Sequence, residues 1–126
     1  MKPGLAEIVE HYVRELAGDH SDQAWQSLVE FGPEALPCVV QAFALAYDRS
    51  VAASLIRVVN EYRTPSALPF LMSLLADPDQ LIWKTALDGI VTLGGRAALD
   101  SLLEIRATLS PEKHPWIDEA VGQVRT

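Results

Sequence analysis

The sequence has 126 residues, of which 49% are hydrophobic and 21% are charged, with a formal net charge of −7 at pH 7. A chain of this length forms one domain that buries roughly two-thirds of its unfolded surface. The longest apolar stretch, Ala42–Tyr47, is far shorter than the ~20 residues that cross a bilayer, and residues 1–4 lack the apolar core of a signal peptide. Cys38 is the single cysteine, so no internal disulfide is possible. We therefore expect a soluble, cytoplasmic protein with no membrane partner.

The negative charge is concentrated in the first third of the chain. Residues 1–48 contain eight acidic residues against Lys2 and Arg14, whereas the rest of the chain is nearly balanced. Nucleic-acid binding needs clustered Lys and Arg, and this sequence has no such cluster. The charge favours a basic protein partner, although a solubilising surface explains it more simply.

The first three predicted helices are Pro3–Ala17, Asp22–Phe31 and Glu34–Tyr47. Apolar residues recur in them at steps of three and four, which is the spacing of one helix face. We expect Ser21 or Asp22 to cap the second helix through its side-chain oxygen. Gly32-Pro33 predicts a turn, with Pro33 at a first helical position where its missing N–H costs nothing.

The remaining predicted helices are Val51–Tyr62, Ser66–Ala76, Pro78–Leu93, Arg96–Leu109 and Trp116–Val124. Thr64-Pro65 and Asp77-Pro78 each place a capping residue before a proline, which predicts a helix start. Gly94 is expected to take the left-handed conformation that closes a helix without a Cβ clash.

Three similar segments recur along the chain at nearly constant spacing. Their leucines, Leu36, Leu68 and Leu99, stand 32 and 31 residues apart. A fixed period of this size predicts stacked helical hairpins, because one hairpin cannot bury its apolar face alone. We expect an all-α, right-handed α-α superhelix of about seven helices in a single domain, residues 1–126. Its predicted parts are an N-terminal capping helix (1–18), hairpins 22–49, 50–77 and 78–109, and a C-terminal capping helix (115–126).

The third repeat carries the most specific pattern, which is Asp77-Pro78-Asp79, Ile82, Ala86, Gly89 and Leu93-Gly94. This order is similar to that of HEAT repeats of the short, roughly thirty-residue bacterial type, which also occur in phycobilisome lyase subunits. The resemblance implies an α-solenoid fold. Ala52 and Trp83 stand where the family usually has arginine, so we expect the Asp-Arg ladder between repeats to be absent or degenerate.

No group of residues has the spacing of a catalytic or metal site. His11, His20 and His114 are isolated, whereas metal-binding helices place two ligands on one face. His20-Ser21-Asp22 contains the residue types of a hydrolase triad, but consecutive residues cannot converge on one reacting atom. We therefore predict that the chain is not an enzyme and binds neither a metal nor a cofactor.

The repeat also predicts which residues bind a partner. We expect the three repeat leucines, with Val39, Leu71 and Leu102, to point into the core, and solenoids bind along their concave side. The residues that then align on that side are Cys38, Gln41, Phe70, Ser73, Asp100, Ser101 and Glu104. Phe70 is the strongest candidate as an exposed aromatic hot spot, with core packing as the alternative. An alternative role for Cys38 is to fill space in the core as a small apolar residue. For Trp83 and Trp116, the alternative to ligand contact is packing between repeats with each side chain half-exposed.

Two functions follow from these observations. The first is a non-enzymatic module that binds a protein on its concave face, either as an adaptor or as a toxin-neutralising protein, since small acidic HEAT-like chains resemble bacterial immunity proteins. The second, implied by the resemblance to lyase subunits, is an accessory protein or chaperone that holds a bilin or another apolar ligand. A HEAT-like DNA glycosylase would need a basic groove, and the charge distribution contradicts one. The oligomeric state stays open.

Overall fold

The computed structural model describes residues 4–125, and every regular element in that range is helical. The eight α-helices are α1 (Leu5–Glu15), α2 (Ser21–Glu30), α3 (Leu36–Leu45), α4 (Arg49–Tyr62), α5 (Leu68–Ser73), α6 (Gln80–Leu93), α7 (Gly95–Ile105) and α8 (His114–Arg125). The predicted all-α class is confirmed. Three hairpins and a helix at each end make eight helices, which agrees with the prediction of about seven. The predicted start of the first helix, Pro3, lies outside the described residues.

Short 3₁₀ turns precede three of the helices. Each turn begins with a proline, at Pro33–Ala35 before α3, Pro65–Ala67 before α5 and Pro111–Lys113 before α8. Proline fits this position because the first N–H groups of a helix have no intrahelical partner. As a result α3 and α5 begin two residues later than their sequence patterns predicted.

Two aspartates cap helices, but not at the positions expected from sequence. The Asp48 carboxylate accepts a hydrogen bond from the Ser50 N–H at 2.7 Å, and that of Asp79 accepts one from the Leu81 N–H at 2.9 Å. The Asp77 carboxylate instead accepts a hydrogen bond of 2.8 Å from the Asp79 N–H. As a result α6 begins after Asp79 rather than at Pro78. The predicted cap of α2 by Ser21 or Asp22 is wrong, because His20 is the N-cap residue and no side chain caps it.

Backbone with positive φ closes two helices. Gly94 has the expected positive φ of 60°, but its ψ of −162° lies outside the left-handed helical region. Arg63, which ends α4 at φ 49° and ψ 39°, takes the left-handed conformation instead. Glycine is the usual residue in this conformation because it has no Cβ to clash with the following carbonyl.

The described chain divides into two compact units, a first unit of residues 4–63 and a second unit of residues 64–125. In the first unit α1 packs against α2 and α3, and α4 packs against α2 and α3. In the second unit α6 packs against α5, α7 and α8, α5 against α7, and α7 against α8. In both units helices contact the next helix but one, which is how stacked helical repeats form layers. The single domain and its repeat boundaries stay a prediction.

One helix contributes the largest share of the core in each unit. Eight side chains of α4 are buried in the first unit, and seven residues of α6 in the second. Val39, Leu71 and Leu102 are fully buried, as predicted, whereas Leu68 and Leu99 are only half-buried. The predicted half-exposure of Trp83 is wrong, because that side chain is 3% exposed, but Trp116 is 43% exposed.

No individual helix within residues 4–125 combines the length and apolarity of a membrane span. The helical segments Ser21–Glu30 and Pro33–Leu45 are together long and apolar enough for a membrane span, but the chain bends by 103° between them.

Tyr62 joins the end of α4 to the end of α2 in the first unit. Its hydroxyl donates a hydrogen bond of 2.7 Å to the carbonyl of Leu28, one of the last carbonyls of α2 and therefore without an intrahelical partner. Burial, and to a smaller extent the neighbouring Cys38, raises the pKa of Tyr62 to about 12. The phenol thus stays protonated in the folded chain at a pH where it ionises in the unfolded chain.

The Tyr62→Phe variant tests this contact. At pH 7 we expect it to lose about 1–2 kcal/mol of unfolding free energy, because the Leu28 carbonyl loses its donor. As the pH rises from 10 towards 12, the unfolded native sequence releases the phenol proton first, so its stability falls and the two proteins converge. Urea unfolding at pH 7, 10 and 11.5 measures this, with Tyr47→Phe as control because Tyr47 is fully exposed. A constant difference across this pH range would contradict the assignment.

Lys113 is the corresponding polar anchor of the second unit. Its side chain is 5% exposed, and its Nζ donates hydrogen bonds to the carbonyls of Leu75 at 2.8 Å and Asp77 at 3.0 Å. The same Nζ lies 5.3 Å from the centre of the Trp83 ring. Lys113 therefore satisfies the carbonyls that follow α5 and ties them to the turn before α8.

Replacement of Lys113 by methionine keeps the aliphatic stem and removes the donor. We expect a loss of about 2–3 kcal/mol in unfolding free energy, because two carbonyls lose a charged donor in a buried place. Lys84→Met is the matched control, since the Lys84 Nζ has a ring contact 4.0 Å from the centre of Trp116, and we expect it to cost less than about 1 kcal/mol. Equal losses in the two variants, measured by denaturant unfolding, would show that Lys113 has no special role.

Candidate functional site

Two of the three helices that contain the repeat leucines have no charged side chain. These are α3 and α5, whereas α7 carries Arg96, Asp100 and Glu104. Leu45 on α3 is 70% exposed, and Tyr47 just beyond it is fully exposed. Charged residues are depleted at the centres of protein interfaces and aromatic residues are enriched there. The surfaces of α3 and α5 thus have the composition of contact surfaces.

A groove lies between α5 and α7 in the second unit. It has a volume of about 410 Å³ and is lined by Leu68, Pro69, Met72, Ser101, Glu104, Ile105 and Thr108. Ser101 and Glu104 are two of the residues predicted from sequence to bind a partner, so the fold brings them together. We refer to it below as the α5–α7 groove.

The other predicted residues of the second unit lie outside the α5–α7 groove. Asp100 forms an ion pair with Arg96, whose Nε lies 3.3 Å from a carboxylate oxygen, one helical turn away on α7. The Ser73 hydroxyl donates a hydrogen bond of 2.6 Å to the Phe70 carbonyl, and the Phe70 side chain is half-buried. Leu68, Pro69 and Met72 form the α5 wall of the groove, and neither Phe70 nor Ser73 lines it. A binding role for Phe70, Ser73 and Asp100 stays a prediction.

A second groove lies between α1 and α3 in the first unit. Its volume is about 380 Å³, and its lining is Ala6, Val9, Glu10, Val13, Arg14, Cys38, Gln41, Ala42, Leu45, Ala46 and Val51. The fold therefore also brings together Cys38 and Gln41, the two candidates predicted in the first repeat. Sequence reasoning missed the α1 wall because α1 was treated as an end cap. Its stripe at positions 6, 9, 10, 13 and 14 is the signal that reveals it.

The histidine residues lie elsewhere in the fold. His11 and His20 line a cleft of about 300 Å³ between α1 and α2, together with Glu15. Within residues 4–125, no group of three or more His, Cys, Asp or Glu side chains is placed to hold a metal ion. Ser21 and Asp22 do not line the cleft that contains His20.

The second unit also has an aromatic and cationic cluster that sequence reasoning did not assemble. The rings of Trp83 and Trp116 make an edge contact with centres 5.9 Å apart, and the Lys84 Nζ lies 4.0 Å from the centre of the Trp116 ring. Trp83 occupies a position where arginine was expected from the repeat pattern. There Trp83 packs against Trp116 of α8, and the Lys113 Nζ lies 5.3 Å from the centre of its ring.

An exposed ion pair joins the end of α7 to α8. Arg106 donates two hydrogen bonds to the Asp118 carboxylate, at 2.7 and 3.0 Å. These hydrogen bonds stabilise the ionised carboxylate and lower the pKa of Asp118 below its ordinary value. Arg106 stands between Ile105 and Thr108 of the α5–α7 groove, but neither Arg106 nor Asp118 lines the groove, and the pair joins α8 to the end of α7.

Comparison with protein-family models identifies the kind of repeat. A family model of HEAT repeats matches residues 36–113, which run from the start of α3 to the turn before α8. A search of curated proteins finds no match. HEAT repeats generally mediate protein–protein interactions, and proteins of this type are typically scaffolds without enzymatic activity.

Proposed function

The chain belongs to the HEAT-repeat family, and we propose that it is a non-enzymatic module that binds a protein partner through the α5–α7 groove. The observation that carries this proposal is the juxtaposition of α5, which has no charged residue, with Ser101 and Glu104 of α7. Pro69 and Met72 supply exposed or half-exposed apolar surface beside these polar groups. An apolar surface with a few polar groups is typical of the centre of a protein interface.

The charge of the groove favours a basic partner. Glu104 is exposed and is the charged member of the lining, whereas the paired Asp100 and Arg96 lie outside it. The net charge of −7 attracts a positively charged protein over a longer range and speeds its association. Neutralisation of a basic toxin by an immunity protein is one function with this charge requirement, and adaptor function is the other.

A photocrosslinking residue at position 72 tests the proposed groove in living cells. We expect a discrete protein to be captured from Met72 and not from Leu103, which is 46% exposed on α7 but does not line the groove. The Met72→Lys variant should weaken binding of the captured protein by at least about tenfold, because a charge enters an apolar contact surface. Calorimetric titration of the purified proteins measures this effect.

The control variant is Leu103→Lys, which should bind as the native chain does. Circular dichroism should show that both variants fold, since both positions are partly exposed. Equal capture from positions 72 and 103, or unchanged affinity in Met72→Lys, would contradict binding in the α5–α7 groove.

The captured partner also separates the two versions of the function. A toxin expressed alone would arrest growth, and co-expression of this chain should restore it, with Met72→Lys failing to do so. A partner that is harmless alone would favour adaptor function. Capture of a bilin or another apolar ligand, instead of a protein, would favour the alternative role as an accessory protein.

A further inference from the structure

We propose that the groove between α1 and α3 in the first unit, here termed the α1–α3 groove, binds an amphipathic helix with an aliphatic stripe and flanking Lys or Arg residues. This inference rests on the proposed function as a protein-binding module, but it concerns a different surface. Its residues lie between Ala6 and Val51, whereas the α5–α7 groove begins at Leu68.

The dimensions of the α1–α3 groove fit a short stretch of helix. Its lining runs along α1 from Ala6 to Arg14 and along α3 from Cys38 to Leu45. At a rise of 1.5 Å per residue these distances are about 12 Å and about 10 Å, or roughly two helical turns. A bound helix would therefore place side chains at positions i, i+3 or i+4, and i+7 against the groove.

The apolar surface extends beyond the cavity itself. Val13 is half-buried on the α1 wall, where Val9 is fully buried, and Leu45 lines the α3 wall with 70% of its surface exposed. Tyr47, two residues beyond Leu45, is fully exposed. A small molecule that filled about 380 Å³ would leave Tyr47 and most of Leu45 in water, whereas a helix can cover the cavity and its apolar rim together.

The charges around the α1–α3 groove define the flanks of this helix. Apart from Glu15, which lines the cleft between α1 and α2, the carboxylates on α1 and just before α4 are Glu7, Glu10 and Asp48, against the guanidinium groups of Arg14 and Arg49. Glu10 and Arg14 form an exposed pair at 3.9 Å. The α3 wall contributes no charge, and no basic residue in its last turn offsets the partial negative charge of its carbonyl end. The net charge of this rim is negative, so Lys or Arg on the flanks of a bound helix complements it.

Cys38 provides a reporter for this groove alone. It is the single cysteine of the chain, it is partly exposed, and it lines the groove. A helix in the groove would shield its sulfur from a thiol-reactive reagent. The rate of Cys38 modification in the intact protein therefore measures occupancy without interference from the α5–α7 groove.

The probes are two synthetic helical peptides that share three leucines at i, i+4 and i+7 and differ only in flanking Lys or Glu. We expect the Lys peptide to slow Cys38 modification by about tenfold at saturation, and to bind at least about tenfold more tightly than the Glu peptide. Raising the ionic strength should reduce this preference, because exposed charges are screened over about 10 Å at 0.1 M salt. Fluorescence anisotropy of labelled peptides gives the affinities.

Substitutions in the protein separate the apolar contribution from the charged one. Leu45→Lys removes apolar surface at an exposed position, so this variant should fold normally and bind the Lys peptide about tenfold or more weakly. Glu10→Lys should reduce the preference for the Lys peptide over the Glu peptide. The matched control is Glu30→Lys, an exposed carboxylate of α2 outside the groove, which should preserve the preference.

Equal binding of the two peptides, or binding of the Lys peptide without protection of Cys38, would overturn the proposal. Protection of Cys38 by an uncharged apolar dye, with no protection by either peptide, would also overturn it and identify a small-molecule pocket. Failure of the proposed function is recognised separately, because it would abolish crosslinking from Met72 and leave the Cys38 assay unaffected.

Discussion

The fold depends on the inability of one helical hairpin to bury its apolar side without a neighbour. Each described unit solves this by packing a helix against both the next helix and the next but one, as α1 does with α2 and α3, and α6 with α7 and α8. As a result α4 and α6 are buried over most of their length, and their aliphatic side chains each contribute roughly 1.5–3 kcal/mol by leaving water. The other helices keep a free side.

The free sides explain how a small structural protein gains binding surfaces. Because α4 and α6 carry more buried residues than the other helices, α3 and α5 can use exposed positions for contact with other molecules. Their lack of charge means that little desolvation opposes such contacts, whereas the carboxylates on neighbouring helices attract basic groups. The stabilising residues and the candidate binding residues are therefore largely separate sets in this protein.

The helices were predictable because their signals are local. Prolines at 33, 65 and 111 and apolar spacing of three and four located the helices within a few residues. The cap of α2, the burial of Trp83 and the anchor at Lys113 were not predictable, because they depend on contacts between residues far apart in sequence, such as Lys113 and Leu75. Likewise the periodicity placed Ser101 with Glu104 on one helix, and Cys38 with Gln41 on another. The helices that face them across each groove, α5 and α1, could not be predicted, because their positions depend on how whole helices pack.

Amide hydrogen exchange along the intact chain tests most directly the claim that α4 and α6 hold the units together. If their burial sustains the fold, amides at residues 53–62 and 84–93 will exchange slowest, at the rate set by global unfolding. The amides of α1 and α8 will exchange faster through local opening. Exchange in α1 or α8 as slow as that in α4 and α6, or uniform exchange along all eight helices, would contradict the account.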